Sequence, residues 1–144
     1  MQAGEIRRKV RADHDTIRAM LLRLEQLAGQ VLHGERHLVG ILRDEAETLL
    51  TELLAHIRWE DEHLRPTLVD ADTAGGPRVE KLDHEHREQR ELLRYALDGL
   101  EDQSRPPQVI ARNLIDLVQL VRDDMDDEEK ILLEEPSLQD GDPG

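Results

Sequence analysis

The sequence predicts an all-α protein, an antiparallel up-down-up-down four-helix bundle, and three observations carry that prediction. The first is composition. Leu, Glu, Arg, Ala and Asp dominate, all but Asp good helix formers, and the only aromatic residues are Trp59 and Tyr95. Sheet cores lean on β-branched and aromatic side chains, which this chain does not supply. The second is punctuation. Gly29 and Gly34, the stretch Pro66 to Pro77 with Thr73-Ala74-Gly75-Gly76, and Ser104-Arg105-Pro106-Pro107 break the chain. Four segments of matched length remain, about 5–31, 36–65, 78–102 and 108–134, and short links between matched helices imply antiparallel packing. The third is periodicity, with core-type residues recurring at alternating steps of three and four. The bundle is expected over 1–136, with 137–144 as a flexible acidic C-terminal tail beyond Pro136.

Taken in order, helix one presents Val10, His14, Ile17, Leu21, Leu24, Ala28 and Val31. Helix two presents Leu42, Ala46, Leu49, Leu53, His56, Glu60 and Leu64. Helix three presents Val79, Leu82, His86, Gln89, Leu93, Ala96 and Leu100. Helix four presents Ile110, Leu114, Leu117, Val121, Asp124, Glu128 and Ile131.

Six members of these stripes are ionisable: His14, His56, Glu60, His86, Asp124 and Glu128. Counting out from the second and third links places Glu60, His86 and the Asp124/Glu128 pair nearly level. The first link fits less well, because His56 lies farther from it than His14; helix two must overhang, or the link must absorb length. An unpaired buried charge costs several kcal/mol. Three imidazoles and three carboxylates around two divalent cations would resolve that cost, and i,i+4 spacing lets His56/Glu60 and Asp124/Glu128 each offer two ligands to one centre. Nitrogen and oxygen donors without sulfur suit iron or manganese, with zinc also open. A metal-free, neutral network of protonated histidines and carboxylates is the alternative.

Composition excludes other classes. Formal net charge is −14, which argues against nucleic-acid backbones and anionic membrane surfaces as partners. The absence of cysteine removes disulfides, thiolate metal sites, iron–sulfur clusters and cysteine nucleophiles. No apolar run approaches the ~20 residues of a membrane span. Met1 to Arg11 lacks the apolar centre of a signal peptide, so a cytoplasmic location is expected. No serine lies in the polar layer, and no glycine-rich phosphate loop is present.

The motifs resemble those of the hemerythrin-like HHE cation-binding domain. Asp13-His14-Asp15 with Ile17 and Leu21 resembles its helix one. His56-Ile57-Arg58-Trp59-Glu60-Asp61-Glu62-His63-Leu64-Arg65-Pro66 resembles its His-x-x-x-Glu helix two, and His84-Glu85-His86-Arg87 its helix three. The departure is helix four, where Asp124-Met125-Asp126-Asp127-Glu128-Glu129 stands in place of His-x-x-x-Glu-Glu. Arg90 follows His86 where oxygen carriers place a second histidine, so their five-imidazole shell is not present.

The resemblance implies two carboxylate-bridged iron ions that meet O2, peroxide or NO. Its implied roles are oxygen or redox sensing, protection or iron oxidation, with weak oxidase- or peroxidase-type turnover open. An iron-binding or metal-free interaction module without turnover is the alternative. A protein partner or a homodimer would be needed to pass on a signal. More anionic ligands should stabilise the ferric state. Glu60-x-x-His63 copies the Glu-x-x-His spacing of di-iron bundles, but His63 is expected at the surface helix end. His84, His33, His37, Asp127 and Glu129 are also expected at the surface. Gln89 is expected to orient a ligand or to bond across the core, and Trp59 and Tyr95 to pack.

Overall fold

The computed structural model describes residues 3–71, 76–102 and 104–133, with side chains to Lys130. The expected tail, 137–144, lies outside the described residues. Four helices follow one another: α1 (Ala3–Leu32), α2 (Val39–Ala71), α3 (Pro77–Glu101) and α4 (Pro107–Asp127). A short 3-10 turn, Arg36–Leu38, precedes α2, and a π-helical turn, Glu128–Leu133, continues α4. α1 packs against α2 and α4, and α3 against the same two, which is the square of an up-down-up-down bundle. No helix among the described residues is long and apolar enough to cross a membrane.

The helix ends follow from local chemistry. Gly34 adopts φ 102°, and the bonds Glu35 N–H to Gln30 O and Gly34 N–H to Val31 O close α1 as a Schellman motif. α3 and α4 each open on a proline, Pro77 and Pro107, where the missing N–H costs nothing. Gly76 takes φ 79° immediately before α3.

Two boundaries differ from expectation. α2 starts at Val39, because the 3-10 turn takes up Arg36–Leu38. His14 then stands as far from Leu32 as His56 does from Val39, to within one residue. The length mismatch at the first link is thereby absorbed. At its other end α2 runs through Pro66 rather than stopping before it. An internal proline costs about 3 kcal/mol. The buried Leu68 beyond it offsets that cost by packing with Leu64.

Every residue of the first three stripes is buried, polar members included. On α4 the apolar members through Val121 are buried as well, but Met125 is buried and Asp124 only half-buried. The apolar core falls into two clusters. The larger runs from Ile17 to Val31 and includes Leu49, Leu53, Leu93, Leu114, Leu117 and Met125. The smaller holds Ile6, Val10, Leu64, Leu68, Val79 and Leu82, with Trp59 against its side. His14, His56, Glu60, His86 and Glu128 fall between the two by position on their helices.

The larger cluster carries the stability. Leu24 is 0% and Leu22 52% exposed on the same helix. Leu24→Ala should cost about 2–5 kcal/mol through lost burial and the cavity left behind, and Leu22→Ala less than about 0.5 kcal/mol. Urea titration of the two variants checks the contrast.

Candidate metal centre

Antiparallel packing brings one side chain from α1, two from α2 and one from the end of α4 together. His14, His56, Glu60 and Glu128 each offer a ligand atom, all within 4.8 Å of one another, and all four are buried. His86 of α3 joins them through Glu60: His86 Nε2 lies 2.9 Å from Glu60 Oε1. The other oxygen, Glu60 Oε2, lies 3.3 Å from His56 Nε2. His14 Nε2 lies 2.9 Å from Glu128 Oε1. Five of the six expected residues therefore form one connected layer. Asp124 stands apart from the quartet and accepts a hydrogen bond from Gln89 Nε2 at 2.8 Å.

Three of the inward atoms, His56 Nε2, Glu60 Oε2 and Glu128 Oε1, are buried and make no hydrogen bond among the described residues. Their neighbours stand at contact distance but out of hydrogen-bond alignment. Buried polar atoms without hydrogen bonds cost about 1–3 kcal/mol each, and here three of them converge on one space. A cation satisfies lone pairs that face one another across such a space. The donor chemistry, imidazole nitrogen and carboxylate oxygen, suits a divalent metal.

The outward nitrogens follow one pattern. His14 Nδ1 lies 2.9 Å from Glu129, which is held by Arg18. His56 Nδ1 lies 3.0 Å from Asp13, whose other oxygen accepts from Lys9 Nζ at 2.8 Å. His86 Nδ1 lies 2.7 Å from Asp61, which is held by Arg90. An ionised carboxylate only accepts, so each Nδ1 carries the proton and donates it. Every Nε2 is thereby turned toward the layer, an arrangement that fixes the tautomer and raises the donor strength of a metal-binding imidazole.

Asp13, Asp61 and Glu129 were not identified as site residues from sequence, and Glu129 was expected at the surface. The available signal was adjacency, since each is the sequence neighbour of a layer residue: His14, Glu60 and Glu128 respectively. The π turn that begins at Glu128 helps, because its wider coil lets Glu128 and Glu129 reach the two nitrogens of the same ring.

Glu85 was also missed. It is buried and ion-paired to Lys81 at 3.0 Å; the charge of Asp124 acts on it, and its own charge acts on Glu128. Of the remaining residues, His63 packs on Trp59 with ring centroids 4.9 Å apart. His33, His37 and His84 are exposed, as expected. Gln89 bonds across the core to Asp124. Tyr95 is half exposed beneath Arg105.

Burial and close charges shift the layer's groups in both directions. Burial, then the charge of Glu60, pushes Glu128 well above its ordinary range. Burial would raise Glu60, but the facing Glu128 carboxyl and the His56 and His86 rings favour its anion and hold it well below its ordinary range. Burial alone would lower His56 and His86, but their carboxylate partners more than reverse it, and both are raised. For His14 burial prevails and the value falls. Burial also raises Asp124.

Residues 5–135 match the family model described as the hemerythrin HHE cation-binding domain. No curated protein and no solved structure gives a significant match.

A carboxyl whose folded pKa is raised stabilises the fold while protonated. That contribution is complete below its ordinary value of 4.5 and is lost as pH rises through the folded value. Metal-free protein should therefore lose stability as pH rises above 4.5, and Glu128→Gln should make that loss shallower, leaving the part owed to His56 and His86. Metal-loaded protein should not show the Glu128 part, because the cation replaces the proton. Thermal melts across pH, with and without chelator, test this. Equal pH slopes for wild type and variant in chelator would remove Glu128 from the shared layer.

Proposed function

The chain belongs to the hemerythrin HHE cation-binding domain family, and from that premise we propose that it is a non-haem, carboxylate-bridged di-iron protein whose small-molecule ligand is O2, peroxide or NO. The observation that carries this reading is the convergence of three buried atoms without hydrogen bonds, backed by imidazoles already turned inward. His14, His56 and His86 would each give Nε2 to a metal. Glu60 has one oxygen toward His86 and the other toward His56, the disposition required of a bridging carboxylate. Glu128, opposite His14, would supply the second carboxylate. Asp124 would complete the set by turning away from Gln89.

Iron held by these residues would supply electrons to O2 or peroxide, or bind NO. The rest is done by the protein. Ile6, Val10, Leu64, Leu68, Val79 and Leu82 lie toward one end of the bundle and Ile17, Leu53 and Met125 toward the other, keeping bulk water from the layer. Glu60 and Glu128 place negative charge beside the cations, which favours the higher oxidation state. The role that follows is oxidation, redox sensing or protection from peroxide, rather than reversible carriage of O2. Manganese and zinc suit the same donors less fully. An iron-binding or metal-free interaction module without turnover is the second reading.

Anaerobic ferrous loading should give about two metal ions per chain, as the donor count requires, and a near-ultraviolet band on exposure to air. His56→Ala and Glu60→Ala should remove most of that metal, whereas His33→Ala and His37→Ala, at exposed positions remote from the layer, should remove none. Metal analysis decides, and equal losses from both pairs would mislocate the centre.

Asp124→His replaces an anionic donor by a neutral one. The ferric state loses more than the ferrous state, because its charge is larger. The reduction potential should rise and the ferrous form should oxidise more slowly in air, per bound iron. An unchanged rate and spectrum would show that Asp124 stays with Gln89 and does not ligate.

A further inference from the structure

The chain carries 33 acidic against 19 basic residues, yet one groove reverses that balance. Between α2 and α3 an open groove of about 620 Å³ is lined by four arginines, Arg65, Arg87, Arg90 and Arg94, against three carboxylates. Two of the carboxylates are already used. Asp83 accepts a bidentate bond from Arg65 at 2.9 and 3.0 Å, and Asp61 is held by Arg90 while it accepts from His86. Arg87 and Arg94 make no ion pair or hydrogen bond among the described residues; Arg87 acts on Asp83 only through its longer-range charge. Both are exposed. They stand seven residues apart on α3, so about 10 Å of helix separates their backbones, within the joint reach of two guanidiniums. Neighbouring guanidiniums repel unless an anion lies between them.

We infer that this groove is a binding site for a small phosphate-bearing anion, gripped by the unpaired guanidiniums of Arg87 and Arg94 beside the ion-paired Arg65 and Arg90. Guanidinium forks match phosphate oxygens in pairs. The volume is that of a small-ligand site. A long polyanion such as nucleic acid fits poorly, because the rest of a chain with net charge −14 would repel it. The third carboxylate, Glu91, also lies in the groove and confines the favourable potential to a short stretch.

The test is calorimetric titration of the full chain, as purified with its metal, using inorganic pyrophosphate. Arg87→Gln/Arg94→Gln is the comparison. Neither side chain pairs with Asp61, so metal content should be the same in both proteins, and circular dichroism should show the same helix. Wild type should bind one pyrophosphate, more weakly as salt rises, and the double variant should bind at least about tenfold more weakly. Chelation of metal by the probe would appear equally in the two proteins and is read by metal analysis afterwards. ADP in place of pyrophosphate separates a nucleotide from a free phosphate source: equal affinity assigns recognition to the phosphates alone, and tighter ADP binding assigns part of it to the nucleoside. Absence of saturable binding, the same affinity in the double variant, or tighter binding of a single-stranded oligonucleotide would each overturn the site. The titration can be read whatever metal the chain holds, so failure of the di-iron reading leaves this outcome independent.

Discussion

The constraint on which this structure depends is a charged layer in an apolar core. Five ionisable side chains, each less than a tenth exposed, lie between two hydrophobic clusters. Each could have been leucine in a bundle selected only for stability, and replacing buried ion networks by apolar residues is often stabilising. Without a cation, the layer is biased toward taking up protons: Glu128, pushed up by its burial and by Glu60, and His56 and His86, raised beside Glu60 against their burial, all stand above their ordinary values. The layer also leaves His56 Nε2, Glu60 Oε2 and Glu128 Oε1 without hydrogen bonds among the described residues. A metal relieves both difficulties at once, displacing the protons and occupying the space on which those atoms converge. Metal affinity and fold stability are then one quantity, read through linkage.

The order of the layer is set from outside it. His14, His56 and His86 come from three different helices, yet each follows the same sequence of contacts: ring nitrogen, carboxylate, surface cation. The cations are Arg18, Lys9 and Arg90. An imidazole alone in a core can rotate and can place its proton on either nitrogen. A carboxylate at Nδ1 removes both freedoms, and the cation beyond holds that carboxylate in place. Much of the surface charge near the centre thus acts on the interior through these links, and the imidazoles proposed to hold metal are oriented in its absence.

Most of the fold was legible in the sequence because a bundle repeats one rule. Every position that spacing by three and four assigned to the first three stripes is buried, the polar ones included, and the family motifs agree with the family match. The failures occurred where two principles competed. At Pro66 the local rule predicted a stop, but burial of Leu64 and Leu68 carried the helix onward. On α4, both Asp124 and Met125 satisfy a three-or-four step from Val121 and Glu128. The hydrophobic effect chose Met125, and Asp124 turned toward Gln89. Asp13, Asp61 and Glu129 lie off the stripes. A pattern of buried faces cannot reveal residues that work from the half-buried flank, although their adjacency to His14, Glu60 and Glu128 was visible.

Asp124 is supported entirely from α3, where both its partner Gln89 and its neighbour Glu85 lie. A carboxylate there must either meet a cation or be satisfied by an amide, and Gln89 supplies the amide. The π turn at Glu128 presents two successive carboxylates to His14, one at each nitrogen. The α4 side of the layer is therefore acidic, and its charge is held by α1 and α3. An acidic flank of this kind binds a highly charged cation more strongly than a weakly charged one, which is the physical ground for reading the centre as one that favours oxidised metal.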